Sequence, residues 1–145
     1  MELKDKIIVI TGAASGIGRA LAIRFKAEGA KQIVAVDINI AGAQETAEMI
    51  GGVAMNADVS KEEDILRVIE ETEAQVGPID LFCSNAGVGM AESLDSSNRE
   101  WQMSWDINVM SHLYAARHLV PRMVARGGGY FLNTSSAAGL LNQIG

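Results

Sequence analysis

Three glycines lie close together near the N-terminus, at positions 12, 16 and 18 of the segment Thr11–Gly18. A bound diphosphate needs a tight turn, a close approach of the backbone and the positive end of a helix dipole. The glycines satisfy the first two needs because a Cβ would clash, and a helix beginning near Gly16 satisfies the third. No Gly-Lys-Ser/Thr follows, as a Walker loop would require. The segment therefore predicts a dinucleotide-binding loop, in which the contacts come from Gly12, Ser15, Gly16, Ile17 and Gly18. The alternative is a turn that is merely rich in small residues.

A carboxylate, Asp37, closes the next apolar run, at about the distance from the loop where a ribose-binding acid is expected. It would accept hydrogen bonds from both hydroxyls of an adenosine ribose and would repel a 2′-phosphate, so NAD is favoured over NADP. Ile38 follows directly and is expected to contact the cofactor as well. Arg19, just after the loop, is the one feature that favours NADP. The alternative for Asp37 is an acid that ends a strand and caps the next turn.

Alternating strands and helices are predicted to position these residues. Apolar, β-branched runs predict strands buried on both faces, and apolar residues spaced by four predict helices between them. The strands are expected at 6–11, 32–37, 53–56, 79–84 and 130–134, with helices at 16–28, 41–50, 60–76 and 97 to about 126. Crossover helices between parallel strands predict an α/β fold: a Rossmann-type, doubly wound parallel sheet of about five strands, in one dinucleotide-binding domain over residues 1–145.

Two helix starts and one long helix carry more specific expectations. Ser60 with Glu63, and Ser97 with Glu100, match the capping box, in which two residues satisfy each other's free backbone N–H. Pro121 is expected to kink the long helix. An apolar stripe is expected along that helix, with Asn108 as a buried amide that needs partners; the alternative for Asn108 is an amide satisfied by neighbouring backbone. Trp101 and Trp105 are expected in the core or at an interface. The stripe comprises Trp101, Trp105, Val109, His112, Ala116 and Met123.

Composition narrows the functional class. The chain has 145 residues, 48% hydrophobic residues and a formal net charge of -6, which describes a globular protein and disfavours nucleic-acid and anionic-membrane partners. The single cysteine, Cys83, excludes an intrachain disulfide and is expected in the core, and the cytoplasm is the expected location. His112 and His118 lack a third ligand nearby in sequence, so no metal site is expected.

Four segments lie at the carboxyl ends of predicted strands. Together they closely resemble the motifs of the classical short-chain dehydrogenases/reductases (SDRs), and the resemblance covers essentially the whole chain. The four segments are Thr11–Gly18, Asp58-Val59, Ser84–Gly87 and Asn133–Gly139. The resemblance implies that the glycine loop holds the pyrophosphate and that Asp58 and Val59 hold the adenine. It implies that Asn85, Ala86 and Gly87 pack beneath the cofactor, with Ser84 standing where the family has asparagine.

The resemblance also implies hydride transfer between nicotinamide and a secondary alcohol or ketone. Ser136, a better match than Ser135, would hold the substrate oxygen. Asn108 would anchor a water that relays protons, and its neighbour Val109 would contact the cofactor. A tyrosine would exchange the proton with substrate, its pKa lowered from near 10 by a lysine and the positive nicotinamide.

The Tyr-x-x-x-Lys pair of the family is absent from this sequence. Tyr114 is followed four residues later by His118, Tyr130 by Thr134, and no lysine follows Lys61. We expect these residues to be the N-terminal part of a longer enzyme, inactive alone, whose full-length form is a homo-oligomer (dimer or tetramer). Two alternatives stay open: a catalytically inactive NAD-binding or sensing protein of the same fold, and a methyltransferase, in which the segments around Asn85 and Ser136 have no role.

Overall fold

The computed structural model describes residues 1–90 and 93–137. Strands and helices alternate along it, as the sequence pattern predicts. The strands are β1 (Ile7–Thr11), β2 (Gln32–Asp37), β3 (Val53–Asn56), β4 (Leu81–Ser84) and β5 (Tyr130–Asn133). The helices are α1 (Gly16–Ala27), α2 (Ile40–Ile50), α3 (Glu62–Gln75), α4 (Asn98–Trp105) and α5 (Ser111–Ala125), with a π-helical turn at Asp106–Met110 between the last two.

All five strands form one parallel sheet in the order β3-β2-β1-β4-β5. The strand order reverses between β1 and β4, because the chain builds outward from β1 in one direction and then crosses to its other side. In such a sheet the loops at the carboxyl ends diverge at this point and leave a crevice. The Rossmann-type α/β fold predicted from sequence is confirmed.

Helices cover both faces of the sheet, which explains why the central strands are apolar on both sides. Val9, Val34 and Phe82 pack on one face against the buried sides of α3 and α5, including Ile69 and Leu119. A second cluster on the opposite face packs against α1 and the end of α2; it includes Ile8, Ile10, Ala22, Ile33, Ile50 and Cys83. Cys83 is fully buried, as expected, and burial raises the pKa of its thiol to about 12.

One of the two predicted capping boxes is present. Ser97 Oγ accepts from the Glu100 N–H, and Glu100 Oε2 accepts from the Ser97 N–H at 2.7 Å. The box expected at Ser60 is wrong: α3 begins at Glu62 with Lys61 as its N-cap. The Ser60 hydroxyl instead donates to Asp58 Oδ1 at 2.7 Å, so it is committed to the turn before the helix. The sequence pattern could not distinguish these two partners of one serine.

The long helix departs from the expected stripe. Its break from α-helical geometry lies at the π-helical turn, and α5 continues through Pro121. The buried face of α5 consists of Ser111, Ala115, Leu119 and Met123, spaced by four. Trp101 and Trp105 are 49% and 55% exposed, and Val109 and Asn108 are exposed too, so a continuous buried stripe is wrong. A π-turn adds a residue to one helical turn, which shifts the register between the residues before and after it.

Across residues 1–90 and 93–137, every helix is too short or too polar to span a bilayer.

Candidate functional site

A cleft of about 210 Å³ opens at the carboxyl edge of the sheet, where the strand order reverses. Seven of its ten lining residues were predicted from sequence to contact a cofactor: Gly12, Asp37, Ile38, Asp58, Val59, Ala86 and Gly87. The other three, Ala57, Val88 and Ile107, were missed because each lies just outside a segment that the sequence analysis singled out. The topology thus brings segments from β1, β2, β3 and β4 to one place.

The glycine loop is shaped by backbone contacts that exclude side chains. A Cβ on Gly12, whose φ is +69°, would lie 2.8 Å from Ala86 Cα. A Cβ on Gly18 would lie 2.1 Å from the Gly12 carbonyl oxygen. These two glycines therefore permit α1, the loop and the segment after β4 to touch. Their role in this structure is close packing of protein backbone, and the approach of the loop to a pyrophosphate stays a prediction.

The crest of the loop has different surroundings. Ser15, Gly16 and Ile17 are exposed, and a Cβ on Gly16 would meet no atom within 4 Å. Gly16 has a φ of +53°, and Ser15 caps α1 without a side-chain hydrogen bond. No acid lies in the first turn of α1. The start of α1 therefore fits an anionic diphosphate, since its first backbone N–H groups need acceptors and its first turn carries no carboxylate that would compete.

Asp37 is half-buried at the end of β2. Its Oδ2 accepts from the Ala14 N–H at 2.9 Å and its Oδ1 from the Asn39 N–H at 2.9 Å. The second bond is the turn-capping role given above as the alternative. An ionised carboxylate has about four acceptor positions, so both oxygens can also accept from ribose hydroxyls. Turn capping and ribose binding are thus compatible in this geometry.

Thr11 joins the loops that follow β1 and β4, a role that the sequence did not reveal. Its Oγ1 accepts from the N–H groups of Asn85 and Ala86 at 3.0 and 3.1 Å and donates to the Cys83 carbonyl at 3.3 Å. Asn85 Nδ2 in turn donates to the Thr11 carbonyl, and Thr134 Oγ1 donates to Asn85 Oδ1. Asn85 therefore links the ends of β1, β4 and β5.

Asp58 and Val59 follow β3 at the side of the cleft. The Asp58 N–H donates to Asp64 Oδ2 at 2.8 Å, and this bond is the main reason that the pKa of Asp64 is lowered. Asp58 Oδ1 accepts from the Ser60 N–H at 3.1 Å. Val59 is buried. These contacts orient the turn, and adenine recognition by Asp58 and Val59 stays a prediction.

Asn108 lies in the π-helical turn and is exposed, so its expected burial is wrong. Both ends of its amide nevertheless have a partner: Oδ1 accepts from the Val88 N–H and Nδ2 donates to the Val88 carbonyl, both at 2.9 Å. The partner is neighbouring backbone, not another buried side chain. Asn108 thereby holds the segment after Gly87 against the helix. π-Turns occur frequently at functional sites.

Ser84, the departure from the family pattern, has a partner of its own. Ser84 is 2% exposed, and its Oγ lies 2.6 Å from His112 Nδ1. Burial lowers the pKa of His112 below its ordinary 6.5, and a hydrogen bond between the imidazole and the Asn108 backbone carbonyl partly opposes this. The pair links β4 to α5 directly beside Asn108.

We expect His112 to make the chain less stable as the pH falls below about 6.5. Because the pKa of His112 is lower in the folded state, the unfolded state takes up the proton first as the pH falls. The contribution of neutral His112 to the free energy of unfolding is therefore complete above the unfolded-state pKa. It is lost progressively between that pKa and the folded-state pKa. Urea unfolding at a series of pH values from about 7.5 to 5 would measure this for the wild type and for His112→Gln. His118→Gln is the matched control, since it is the only other histidine. Equal pH dependence in the wild type and His112→Gln would contradict the prediction. The carboxyls whose pKa is lowered, including Glu62 and Glu73, titrate below 4.5 and so stay outside this range.

The two serines after β5 are both exposed. They follow β5 at the same sheet edge as the cleft. The structure describes the Asn133–Gly139 motif only as far as Ala137, so its last two residues lie outside the described residues. Ser136, Asn108 and Val109 do not line the cleft itself. In residues 1–90 and 93–137, no group of three or more His, Cys, Asp or Glu side chains is arranged to hold a metal ion.

Comparison with known proteins gives a consistent result. The short chain dehydrogenase family model matches residues 6–145. An uncharacterized oxidoreductase, YvrD of Bacillus subtilis, is 35% identical over 97% of this chain and 54% of its own length. The chain spans about half the length of the curated relatives it matches.

Two solved structures share the fold and contain nicotinamide cofactors. A short chain dehydrogenase/reductase from Burkholderia phymatum in complex with NAD matches 99% of this chain and 53% of its own, with a TM-score of 0.92 and 29% identity. A 7α-hydroxysteroid dehydrogenase complexed with NADH and 7-oxo glycochenodeoxycholic acid matches 99% of this chain and 58% of its own, with a TM-score of 0.90 and 30% identity. The glycine loop, the sheet order and these matches together place the chain in the short-chain dehydrogenase/reductase family of oxidoreductases, of which it represents the N-terminal part.

Proposed function

We propose that this chain binds NAD and that the whole protein transfers a hydride between NAD and a secondary alcohol or ketone. The observation that carries the proposal is the position of Asp37, which places a carboxylate in the cleft beside Gly12. A negative charge there favours two ribose hydroxyls and disfavours a 2′-phosphate. The 7-oxo steroid bound to the hydroxysteroid dehydrogenase supports a secondary alcohol or ketone as the substrate class.

The surroundings of Arg19 also favour NAD over NADP. Its guanidinium donates to the carbonyls of Ala14 and Gly42 and forms an ion pair with Glu45 at 3.0 Å. Its Nε donates to Thr46 Oγ1 at 2.9 Å. A 2′-phosphate would need to compete with these groups for the same cation. The one sequence feature that favoured NADP is therefore engaged within the protein.

Each proposed site residue has a distinct task. The crest of the glycine loop binds the diphosphate, Asp37 binds the ribose, and Asp58, Val59 and Ile38 enclose the adenine side of the cleft. Gly12, Ala86 and Gly87 contact the cofactor from the wall of the cleft, Gly18 and Asn85 support them from behind, and Val109 adds a cofactor contact. Bound nicotinamide supplies or accepts the hydride.

Ser136 and Asn108 are the proposed catalytic residues in this part of the protein. Ser136 holds the substrate oxygen by a hydrogen bond, and Asn108 anchors a water for proton relay. The proton itself is exchanged by the Tyr-x-x-x-Lys pair that the family uses, which we propose for the whole protein. The 145-residue chain by itself should bind the cofactor but should not catalyse the reaction.

The whole protein is proposed to act on a small molecule in the cytoplasm as a homo-oligomer. Helices α4 and α5 expose a group of apolar side chains, which supports association with a second copy; it comprises Trp101, Trp105, Leu113, Val120 and Val124. Isolated exposed apolar residues are normal, whereas contiguous apolar patches are typical of interfaces.

Isothermal titration of the purified chain with NAD, NADP and S-adenosylmethionine tests the proposal. We expect binding of NAD, weaker binding of NADP and none of S-adenosylmethionine. Absence of NAD binding, or preference for S-adenosylmethionine, would refute it. Screening the whole protein with secondary alcohols for NADH formation then separates an enzyme from an inactive NAD-binding protein.

A further inference from the structure

Ala14 is held on both sides by ionised groups. Its N–H donates to Asp37 Oδ2 at 2.9 Å, and its carbonyl accepts from Arg19 Nη2. The residue is 6% exposed, whereas Ser15 beside it is exposed. The N–H and the carbonyl of one residue belong to two successive peptide planes. An acid therefore fixes one plane and a base fixes the next, at the point where the buried loop becomes the exposed crest.

Arg19 is itself anchored by α2. Nε donates to Thr46 Oγ1, a fully buried hydroxyl that in turn lies 2.7 Å from the Ala13 carbonyl oxygen. Nη2 also contacts the Gly42 carbonyl at 3.3 Å. The backbones approach closely here, because a Cβ on Gly42 would lie 2.7 Å from Ala14 Cβ. A planar guanidinium can serve several acceptors at fixed angles, which a lysine ammonium on a flexible stem cannot do.

We propose that Arg19 is a positioning residue for the cofactor site: through the Ala14 backbone it holds the Asp37 carboxylate in the orientation that ribose binding requires. The inference rests on the proposed function and adds a residue outside the cleft to the determinants of NAD affinity. Arg19 does not line the cleft, and its side chain is 26% exposed. The Ala14 N–H orients Asp37 Oδ2. Loss of the bond from Arg19 to the Ala14 carbonyl would make Ala14 more mobile, and with it the N–H donor that holds Asp37.

The first experiment measures coupling between Arg19 and Asp37. Arg19→Met should weaken NAD binding about tenfold, corresponding to the loss of one hydrogen bond to a charged group. In an Asp37→Ala background the same change should alter NAD affinity less than about twofold, because the carboxylate to be positioned is gone. Arg24→Met is the matched control: Arg24 lies on the same helix, its side chain is 73% exposed, and it pairs with Glu28. An equal loss in both backgrounds, or no loss, would overturn the proposal.

The second experiment needs no cofactor and so separates this inference from the proposed function. Amide hydrogen exchange at Ala14 in the unliganded chain should accelerate about tenfold in Arg19→Met and stay unchanged in Arg24→Met. If the wild type fails to bind NAD while this acceleration occurs, the proposed function fails and the positioning role stands. If Arg19→Met does not fold, Arg19→Lys replaces it in both experiments. We then expect a smaller loss of NAD affinity and a smaller increase in the exchange rate at Ala14. Unchanged exchange at Ala14 in a folded Arg19 variant would refute the positioning role.

Discussion

Replacing Asp37 with alanine should weaken NAD binding by roughly ten- to a hundredfold, because hydrogen bonds from two ribose hydroxyls to one carboxylate are lost. The affinity for NADP should change much less, since the repulsion of a 2′-phosphate disappears together with the carboxylate. The ratio of the two affinities, measured by isothermal titration, is therefore the most informative readout. We expect Asp37→Ala to lose most of the preference for NAD over NADP.

Asp37 also has a structural role that the experiment must separate from binding. Loss of the bonds from the Ala14 and Asn39 N–H groups should cost on the order of 1–2 kcal/mol of the free energy of unfolding. Urea unfolding of the same variant measures this. Asp37→Asn keeps an acceptor for Ala14 while removing the charge, and Glu48→Ala removes an exposed acid of α2 as a control. NAD affinity unchanged in Asp37→Ala would remove the basis of the proposed NAD site.

Gly18→Ala should have the largest effect on stability, a loss of roughly 3 kcal/mol or more in the free energy of unfolding. The added Cβ would lie 2.1 Å from the Gly12 carbonyl oxygen and 2.9 Å from Asn85 Nδ2. The first contact is backbone against backbone, so relief requires α1 to move away from the loop. NAD binding should be lost along with this packing.

Two other glycines provide controls that separate a clash from backbone strain. Gly16 and Gly51 have φ values of +53° and +61°, and a Cβ on either would meet nothing within 4 Å. Alanine at these positions should cost about 1–2 kcal/mol, the penalty for a left-handed residue alone. Urea unfolding of the three variants gives the comparison. A Gly18→Ala variant no less stable than Gly51→Ala would show that the close approach of α1 to the loop is not required.

Local patterns predicted the fold well because each element carried its own signal. The apolar runs of β1 and β2 and the glycines between β1 and α1 are adjacent in sequence, and parallel strands with short connections leave few topologies. The position of Asp37 followed from the same reasoning, since the end of β2 must lie beside the end of β1. Even the alternative for Asp37 was sound, because the carboxylate does cap the next turn.

Predictions that depended on a continuous helical period failed. The stripe through Trp101 and Trp105 assumed one uninterrupted α-helix, and the π-turn at Asp106–Met110 shifted its register. Ser60 was assigned to the wrong acid because Asp58 and Glu63 both lie within reach along the chain. In both cases the competing geometry differs by one residue or one hydrogen bond, which residue types alone do not distinguish.

The amino-acid sequence by itself determined the glycine loop, the strand-end position of Asp37 and the segments that identify the family, because each is a short run with strict steric or charge requirements. Only the tertiary structure decided which distant groups complete the site. Arg19 meets the Ala14 carbonyl and Thr46, Asn108 meets Val88, and Ser84 meets His112 across 28 residues of sequence. These partners depend on how α1 approaches α2 and on the register of α5 against β4. Such packing arises from the whole core, so no local stretch of the chain encodes it.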